Sequence, residues 1–351
     1  MQPKKKAITA AVTGSALGVA GLAWLAVPAS AGEAPTLPQI SAEDLVSSVL
    51  STQTPALDGT VKVDNNLGLP TTSLPGGMQL NVDSAHVFND GAGNGKISIQ
   101  QGNADTTIVR NDHTIWTYSS KDNSATKVTV PSGVATQKAP EGISSDPTAA
   151  AKQLMDKVRQ SSTVSVEGTA RVAGRAAYEL VLTPKPTERT LLREVRVAVD
   201  AEKRVPLRLA VMTYGSADPA LQIAFSDVEF TPQPASEFQF TPPQGAKVTE
   251  KQAQSQPQNA AKPDVTTVGD GWDTVLVGKA TPQAMAPQQG KNGRQVDPKA
   301  LLGQFGKRVT GAFGSGYVIT TNAATALITD DGRFAIGAVP QQVLIDALGT
   351  K

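Results

Sequence analysis

The chain has few side chains that could carry out catalysis. It has no cysteine, which excludes disulfides, thiolate metal sites, cysteine nucleophiles and a lipid attached through an amino-terminal cysteine. Its two histidines, His86 and His113, do not stand at the H-x-H or H-x-x-x-H spacing of a histidine-rich metal site. The sequence therefore predicts no catalytic residue, no metal and no cofactor, and a protein that is not an enzyme.

Two further motifs are better explained by turns than by chemistry. Residues 311–316 are rich in glycine, but strand candidates lie on both sides and no helix follows to bind a phosphate at its N-terminus. Asp330 and Asp331 precede Gly332 and lack the spacing of an EF-hand. The sequence also lacks a G-x-S-x-G nucleophile elbow and a Walker A motif. We interpret both motifs as tight turns.

The composition is that of a globular protein. Of the 351 residues 39% are hydrophobic and 18% are charged, which is enough for one large or two moderate domains with their own cores. The 32 basic and 31 acidic residues nearly cancel, so no net charge attracts the chain to nucleic acid.

The first residues have the pattern of an export signal. Three lysines at residues 4–6 precede an uncharged run over residues 7–27, and Ala29, Ser30 and Ala31 give the small-x-small pattern of a cleavage site. We expect residues 1–31 to be a signal peptide cleaved after Ala31, and the protein to be secreted or located in the cell envelope. The alternative is an uncleaved membrane anchor, because the run has about the length that crosses a bilayer core.

The remaining chain predicts an α+β fold made mostly of antiparallel strands. Ser41 has the position of an N-cap before a helix, and Asp146 with Pro147 predicts the start of a second helix. Between and after these helices, segments of period two are separated by short turns, which favours an antiparallel meander over a βαβ fold. We expect a curved antiparallel sheet with about two plugging helices at residues 41–250, a linker at 251–264, and a small α+β domain at 265–351.

Several of these strands are apolar on one side only. Two helices are few for some eight or more strands, which favours a concave sheet with a hydrophobic cavity over a sheet fully covered by helices. We predict a cavity for an apolar ligand that is lined by Tyr178, Leu180, Val195, Val197, Leu207, Leu209, Val211, Ile223 and Phe225.

Two stretches resemble a known family. Residues 108–118 (IVRNDHTIWTY) with the strand at 127–129, and residues 225–230 (FSDVEF) followed by 238–248 (FQFTPPQGAKV), resemble motifs of the LolA-like and RseB (MucB)-like lipoprotein-carrier superfamily. The resemblance covers residues 42–250. It does not extend to residues 272–348.

The resemblance implies an unclosed β-barrel with helices plugging its open side. In LolA-like proteins the hydrophobic concavity holds acyl chains of lipids or lipoproteins, so the resemblance implies such acyl chains as ligands. In the RseB-like branch a smaller second domain is present and the protein is a sensor that binds an anti-sigma factor. The expected function is a non-enzymatic carrier of acyl chains; the alternative is a regulatory sensor that binds a membrane-anchored protein.

Overall fold

The computed structural model describes residues 35–68, 82–130, 147–252, 265–281, 287–289 and 295–349. The expected signal peptide at residues 1–31 and most of the expected linker lie outside these ranges. No helix in the described ranges is both long and apolar enough to cross a membrane.

The larger unit is a twelve-stranded sheet with two helices. Its elements in chain order are α1 (Ala42–Ser51), β1 (Leu57–Asn65), β2 (Ser84–Asn89), β3 (Gly95–Gln101), β4 (Ala104–Asn111), β5 (Thr114–Ser119), β6 (Ser124–Thr129), α2 (Pro147–Ser161), β7 (Ser162–Val172), β8 (Arg175–Pro184), β9 (Leu192–Asp200), β10 (Pro206–Thr213), β11 (Leu221–Glu229) and β12 (Lys247–Gln252). The strand order across the sheet is β12-β6-β5-β4-β3-β2-β1-β11-β10-β9-β8-β7.

The helix starts follow from local sequence. The Ser41 hydroxyl accepts a hydrogen bond from the backbone N–H of Asp44 at 3.0 Å and so caps α1, as its position predicts. Glu43 and Asp44 lie in the first turn, where negative charge is favoured by the helix dipole. The second helix begins at Pro147, as predicted from a proline at the first helical position.

The sheet is curved and open. Bulges shift the register in β7, β10 and β11, and a bulge bends its strand and increases the local twist. Strand β7 lies against β11 although β8, β9 and β10 separate them in the sheet, so this end of the sheet curls back on itself. The edges β7 and β12 are not joined. The prediction of a curved antiparallel sheet with few helices is therefore confirmed.

The sheet departs from the predicted meander in two places: β1 pairs with β11 while β6 and β7 do not pair, and the last strand pairs in parallel. Strand β12 pairs with β6 in parallel, with Lys247 opposite Ser124 and Gln252 opposite Thr129. The chain reaches this edge through a short 3₁₀ helix (Ala235–Phe238) and Phe240, whose ring centroid lies 5.4 Å from that of Trp116 and 5.9 Å from that of Tyr118. The segment between β11 and β12 therefore packs on β5 through Phe240.

The smaller unit is a six-stranded sheet with a helix on one face. It contains β13 (Val265–Val268), β14 (Val275–Lys279), a short pair β15 (Gln288–Gln289) and β16 (Gln295–Val296), α3 (Pro298–Phe305), β17 (Lys307–Gly311), β18 (Gly314–Thr320), β19 (Thr325–Thr329), β20 (Arg333–Gly337) and α4 (Gln341–Gly349). The sheet order is β13-β14-β20-β19-β18-β17. Its core includes Val275, Leu327, Ala335 and, from α4, Leu344, all fully buried.

Both turn interpretations of the sequence hold in this unit. The glycine-rich stretch is the hairpin between β17 and β18, where Gly314 has a φ of +99°. Asp330, Asp331 and Gly332 join β19 to β20, and Gly332 has a φ of +87°. Trp272 precedes β14, and its backbone and indole N–H groups donate hydrogen bonds to the larger unit.

Candidate functional site

One face of the sheet collects most of the predicted ligand-binding residues. In an antiparallel sheet, residues directly opposite each other on neighbouring strands have their side chains on the same face. Leu180 pairs with Val197, Val197 with Leu209, and Leu209 with Ile223. Two parallel rows, Tyr178 with Val199 and Leu182 with Val195 and Val211, lie on either side. We call this surface the apolar face; of the nine predicted residues it contains Tyr178, Leu180, Val195, Val197, Leu209, Val211 and Ile223.

The two helices cover one half of the apolar face. Tyr178, Leu180 and Val199 are at most 9% exposed and pack in one cluster with Leu45 of α1 and Met155 of α2. Val197 packs against the same cluster. This half, over β8 and β9, is an ordinary hydrophobic core.

The other half is open. Leu209 is 37% exposed and Ile223 is 39% exposed, although both belong to strands in the middle of the sheet. Val211 beside them is partly buried, and Val63 on β1 continues the row as the partner of Ile223. Contiguous exposed apolar side chains on a central part of a sheet are unusual in a monomeric protein, so this open half is the candidate site.

Leu207 and Phe225 lie in a different part of the core. Leu207 is only 2% exposed and belongs to a cluster with Leu57, Ala198 and Val228, against which Phe225 also packs. The bulge between Pro206 and Arg208 places Leu207 out of the regular alternation of β10. The sequence alternation missed this bulge, because the bulge is defined by the pairing with β9.

The opposite face of the same strands is charged. Arg208 donates to Glu179 at 2.7 Å, and Arg196 donates to Glu194 at 2.8 Å. The hydrogen bond from Arg196 lowers the pKa of Glu194, and burial opposes this effect. Glu179 is 8% exposed, and neither its Oε1 atom nor Nε of Arg208 has a hydrogen-bond partner in the described structure. Buried apolar side chains lie beside these ion pairs, with Val181 and Ala198 fully buried, so this face combines apolar packing with charge.

A polar cleft of about 630 Å³ lies at the end of β1 and β11, and sequence reasoning missed it. Asp64, Asp83 and Asp218 line it, and no basic side chain does so among the residues that form it. Gln222 donates to Asp64 at 2.8 Å. Its acidic lining is unsuited to an acyl chain, so we do not assign it to the apolar ligand.

Each of the two histidines lies beside an aspartate. His86 Nε2 lies 2.5 Å from Asp58 Oδ1, and its ring packs on Phe88 at 4.4 Å between centroids. His113 lies beside Asp112 at the β4–β5 turn. Within the described ranges no group of three His, Cys, Asp or Glu residues could hold a metal ion.

An open, curved antiparallel sheet with two helices against its apolar face defines the fold class of the larger unit. A family model described as the MucB/RseB N-terminal domain matches residues 77–256, more than half of the chain. The protein therefore belongs to the MucB/RseB family.

Solved structures similar to this chain include a MucB protein and a LolA superfamily protein. The complex of Pseudomonas aeruginosa MucA and MucB is 14% identical, with 87% of this chain and 94% of that chain covered and a TM-score of 0.43. A LolA superfamily protein from Nitrosomonas europaea is 11% identical, with 57% and 99% covered and a TM-score of 0.22. Comparison with curated proteins gives no match.

Proposed function

We propose that this protein is an extracytoplasmic, non-enzymatic binding protein that holds an acyl chain of a lipid or lipoprotein on the open half of the apolar face. The main support for this proposal is the exposure of Leu209 and Ile223. Both belong to the row of apolar side chains that continues the helix-covered core. Membership of the MucB/RseB family supports a binding role over a catalytic one.

The physical basis is the burial of methylene groups. Each buried CH₂ contributes about 0.8 kcal/mol, so an acyl chain that buries about eight of them gains about 6 kcal/mol before the cost of ordering the chain. A gain of that size corresponds to a dissociation constant of about tens of micromolar or weaker, which permits release as well as capture.

The two helices also carry exposed apolar side chains. Leu50 of α1 is 45% exposed and Leu154 of α2 is 40% exposed. The contacts between the two helices include an ion pair from Arg159 to Glu43 and a long 3.5 Å hydrogen bond from Ser47 to Thr148, all at exposed positions. Exposed pairs of this kind stabilise little, so the buried contacts of Leu45 and Met155 are what hold the two helices on the covered half of the face.

A binding measurement tests the proposal. The delipidated protein is titrated with a fluorescent fatty-acyl probe, and Leu209→Trp is compared with Leu276→Trp. Leu276 is 47% exposed on the smaller unit and serves as a matched control. We expect Leu209→Trp to weaken binding at least tenfold because the indole occupies the acyl site, and Leu276→Trp to leave binding unchanged. If the unmutated protein binds no acyl probe, the proposal is wrong.

The second candidate is a regulatory protein that binds a segment of a membrane-anchored partner, such as an anti-sigma factor. The observation in its favour is that the matching family model is the MucB/RseB N-terminal domain and that a second folded unit follows it. A pull-down from solubilised membranes of the protein's own host distinguishes the two. A single stoichiometric membrane protein bound by the delipidated chain would favour the regulatory role.

A further inference from the structure

The C-terminal end of α2 is capped by the connection between β8 and β9. The backbone N–H of Lys185 donates to the carbonyl of Ser161 at 2.9 Å, and Lys185 Nζ donates to the carbonyl of Gln160 at 3.0 Å. The last carbonyls of a helix have no partner within the helix, and a positive charge is favoured there by the helix dipole. The 185–191 connection therefore stabilises the end of the helix that covers the apolar face.

The smaller unit contacts this same end of α2 through Trp272. Nε1 of the indole donates to Oγ of Ser162, the residue after α2, at 2.7 Å, and Ser162 is 3% exposed. The backbone N–H of Trp272 donates to Oε2 of Glu188 at 2.8 Å. The fit is close, since a Cβ on Gly271 would meet Oε2 of Glu188 and would lie 2.8 Å from Cβ of Ser161.

The rest of the connection is also bound to the smaller unit. The hydroxyl of Thr190 and the backbone N–H of Leu191 both donate to the carbonyl of Ala338 at 2.8 Å. Arg189 pairs with Asp346 of α4 at 2.9 Å. The 185–191 connection thus lies between the end of α2 and the smaller unit, and it is hydrogen-bonded to both.

We propose that the smaller unit positions α2. Through Trp272 it fixes the C-terminal end of the helix. Loosening this contact makes α2 open more often and makes the apolar face more accessible to a ligand. The contact is placed to do so because Trp272 binds both the residue that follows the helix and the connection that caps it. The statement about access rests on the proposed function, whereas the statement about the helix does not.

Hydrogen exchange of the full-length protein tests the statement about the helix. Trp272→Phe keeps the ring and removes the Nε1 donor. The loss of one hydrogen bond is expected to speed exchange of the amides at residues 155–161 about three- to tenfold. Trp116→Phe is the matched control. Trp116 packs on Phe240 towards the other end of the sheet, so this substitution should leave the exchange of these amides unchanged.

A second variant keeps the proposal falsifiable if Trp272→Phe changes the overall fold. Gly271→Ala places a methyl group against Glu188 and Ser161, while Gly349→Ala, with no atom within 4 Å of its new Cβ, is the matched control. Gly271→Ala should speed exchange at the end of α2, and Gly349→Ala should not. Unchanged exchange in both Trp272→Phe and Gly271→Ala would overturn the proposal.

The association rate of the fluorescent acyl probe tests the statement about access. We expect it to rise by about the same factor as the exchange rate in Trp272→Phe and Gly271→Ala. Faster exchange without faster association would overturn the coupling to access. If the unmutated protein binds no probe, the proposed function fails, and the exchange measurement still decides whether Trp272 holds the helix.

Discussion

Leu207 and Leu209 offer a direct comparison between core and ligand surface. They are the same residue type, two positions apart on β10, yet Leu207 is 2% exposed and Leu209 is 37% exposed. The sequence pattern gives both the same role, whereas the structure places Leu207 in a buried cluster and Leu209 in the open row. Truncating each to alanine separates the two environments.

The expected magnitudes differ severalfold. Leu207→Ala removes a fully buried side chain and leaves a cavity, which typically costs about 2–5 kcal/mol of unfolding free energy. Leu209→Ala removes a side chain with over a third of its surface in water, and its loss should cost about 1 kcal/mol or less. For acyl binding the order reverses: Leu209→Ala should weaken the affinity several-fold, and Leu207→Ala should leave it nearly unchanged under conditions where the protein is folded.

The assay is urea denaturation followed by probe titration of each folded variant. Equal m-values confirm that the midpoints report stability and not a change in the unfolded state. If the two variants lose the same unfolding free energy, the assignment of Leu207 to the core and Leu209 to an open surface is wrong.

The remaining predictions concern the covered half of the face, a carboxylate, the ends of the chain and the linker. Val197→Trp should cost about 1–3 kcal/mol by thermal or urea denaturation because Val197 packs against the helix-covered cluster; unchanged stability would show that this half is also empty. The hydrogen bond from Thr329, followed by that from Arg333, lowers the pKa of Asp331 from 3.8 to about 2, so its stabilisation is present above pH 4 and is lost as the pH falls towards 2. The parent and Asp331→Asn should differ in unfolding free energy by a few tenths of a kcal/mol, since this group is exposed, and the difference should vanish near pH 2. A difference that grows on acidification would show that the predicted direction of the pH dependence is wrong. Amino-terminal sequencing of the exported protein should begin at Gly32, and an intact Met1 in the membrane fraction would identify an anchor instead. Limited proteolysis should cut first within the expected linker at residues 251–264 and leave the 41–250 unit folded, and loss of both units on cleavage would refute the two-domain division.

The helices and turns could be predicted because short-range chemistry determines them. Ser41 caps α1 through a residue three positions away, and Pro147 starts α2 by its own fixed φ. The turn at Asp331 and Gly332 is likewise local. The apolar rows also followed from alternation, since side chains two apart on a strand share a face.

The features that sequence reasoning missed depend on long-range pairing. Whether Leu207 follows the alternation depends on a bulge that exists only against β9. The parallel pairing of β12 joins it to β6, a strand far earlier in the chain. The contact of Trp272 with Ser162 joins residues 110 positions apart, and no local pattern marks it.

Photo-crosslinking with a fatty-acyl probe that carries a diazirine near its terminal methyl tests the central claim most directly. The delipidated protein is irradiated with bound probe, and the modified peptides are identified by mass spectrometry. The account predicts labels on the strand segments that contain Leu209 and Ile223 and on the exposed leucines of the two helices, Leu50 and Leu154. Labels confined to the smaller unit or to the acidic cleft, or no saturable labelling at all, would contradict the claim that the apolar face is an acyl-binding site.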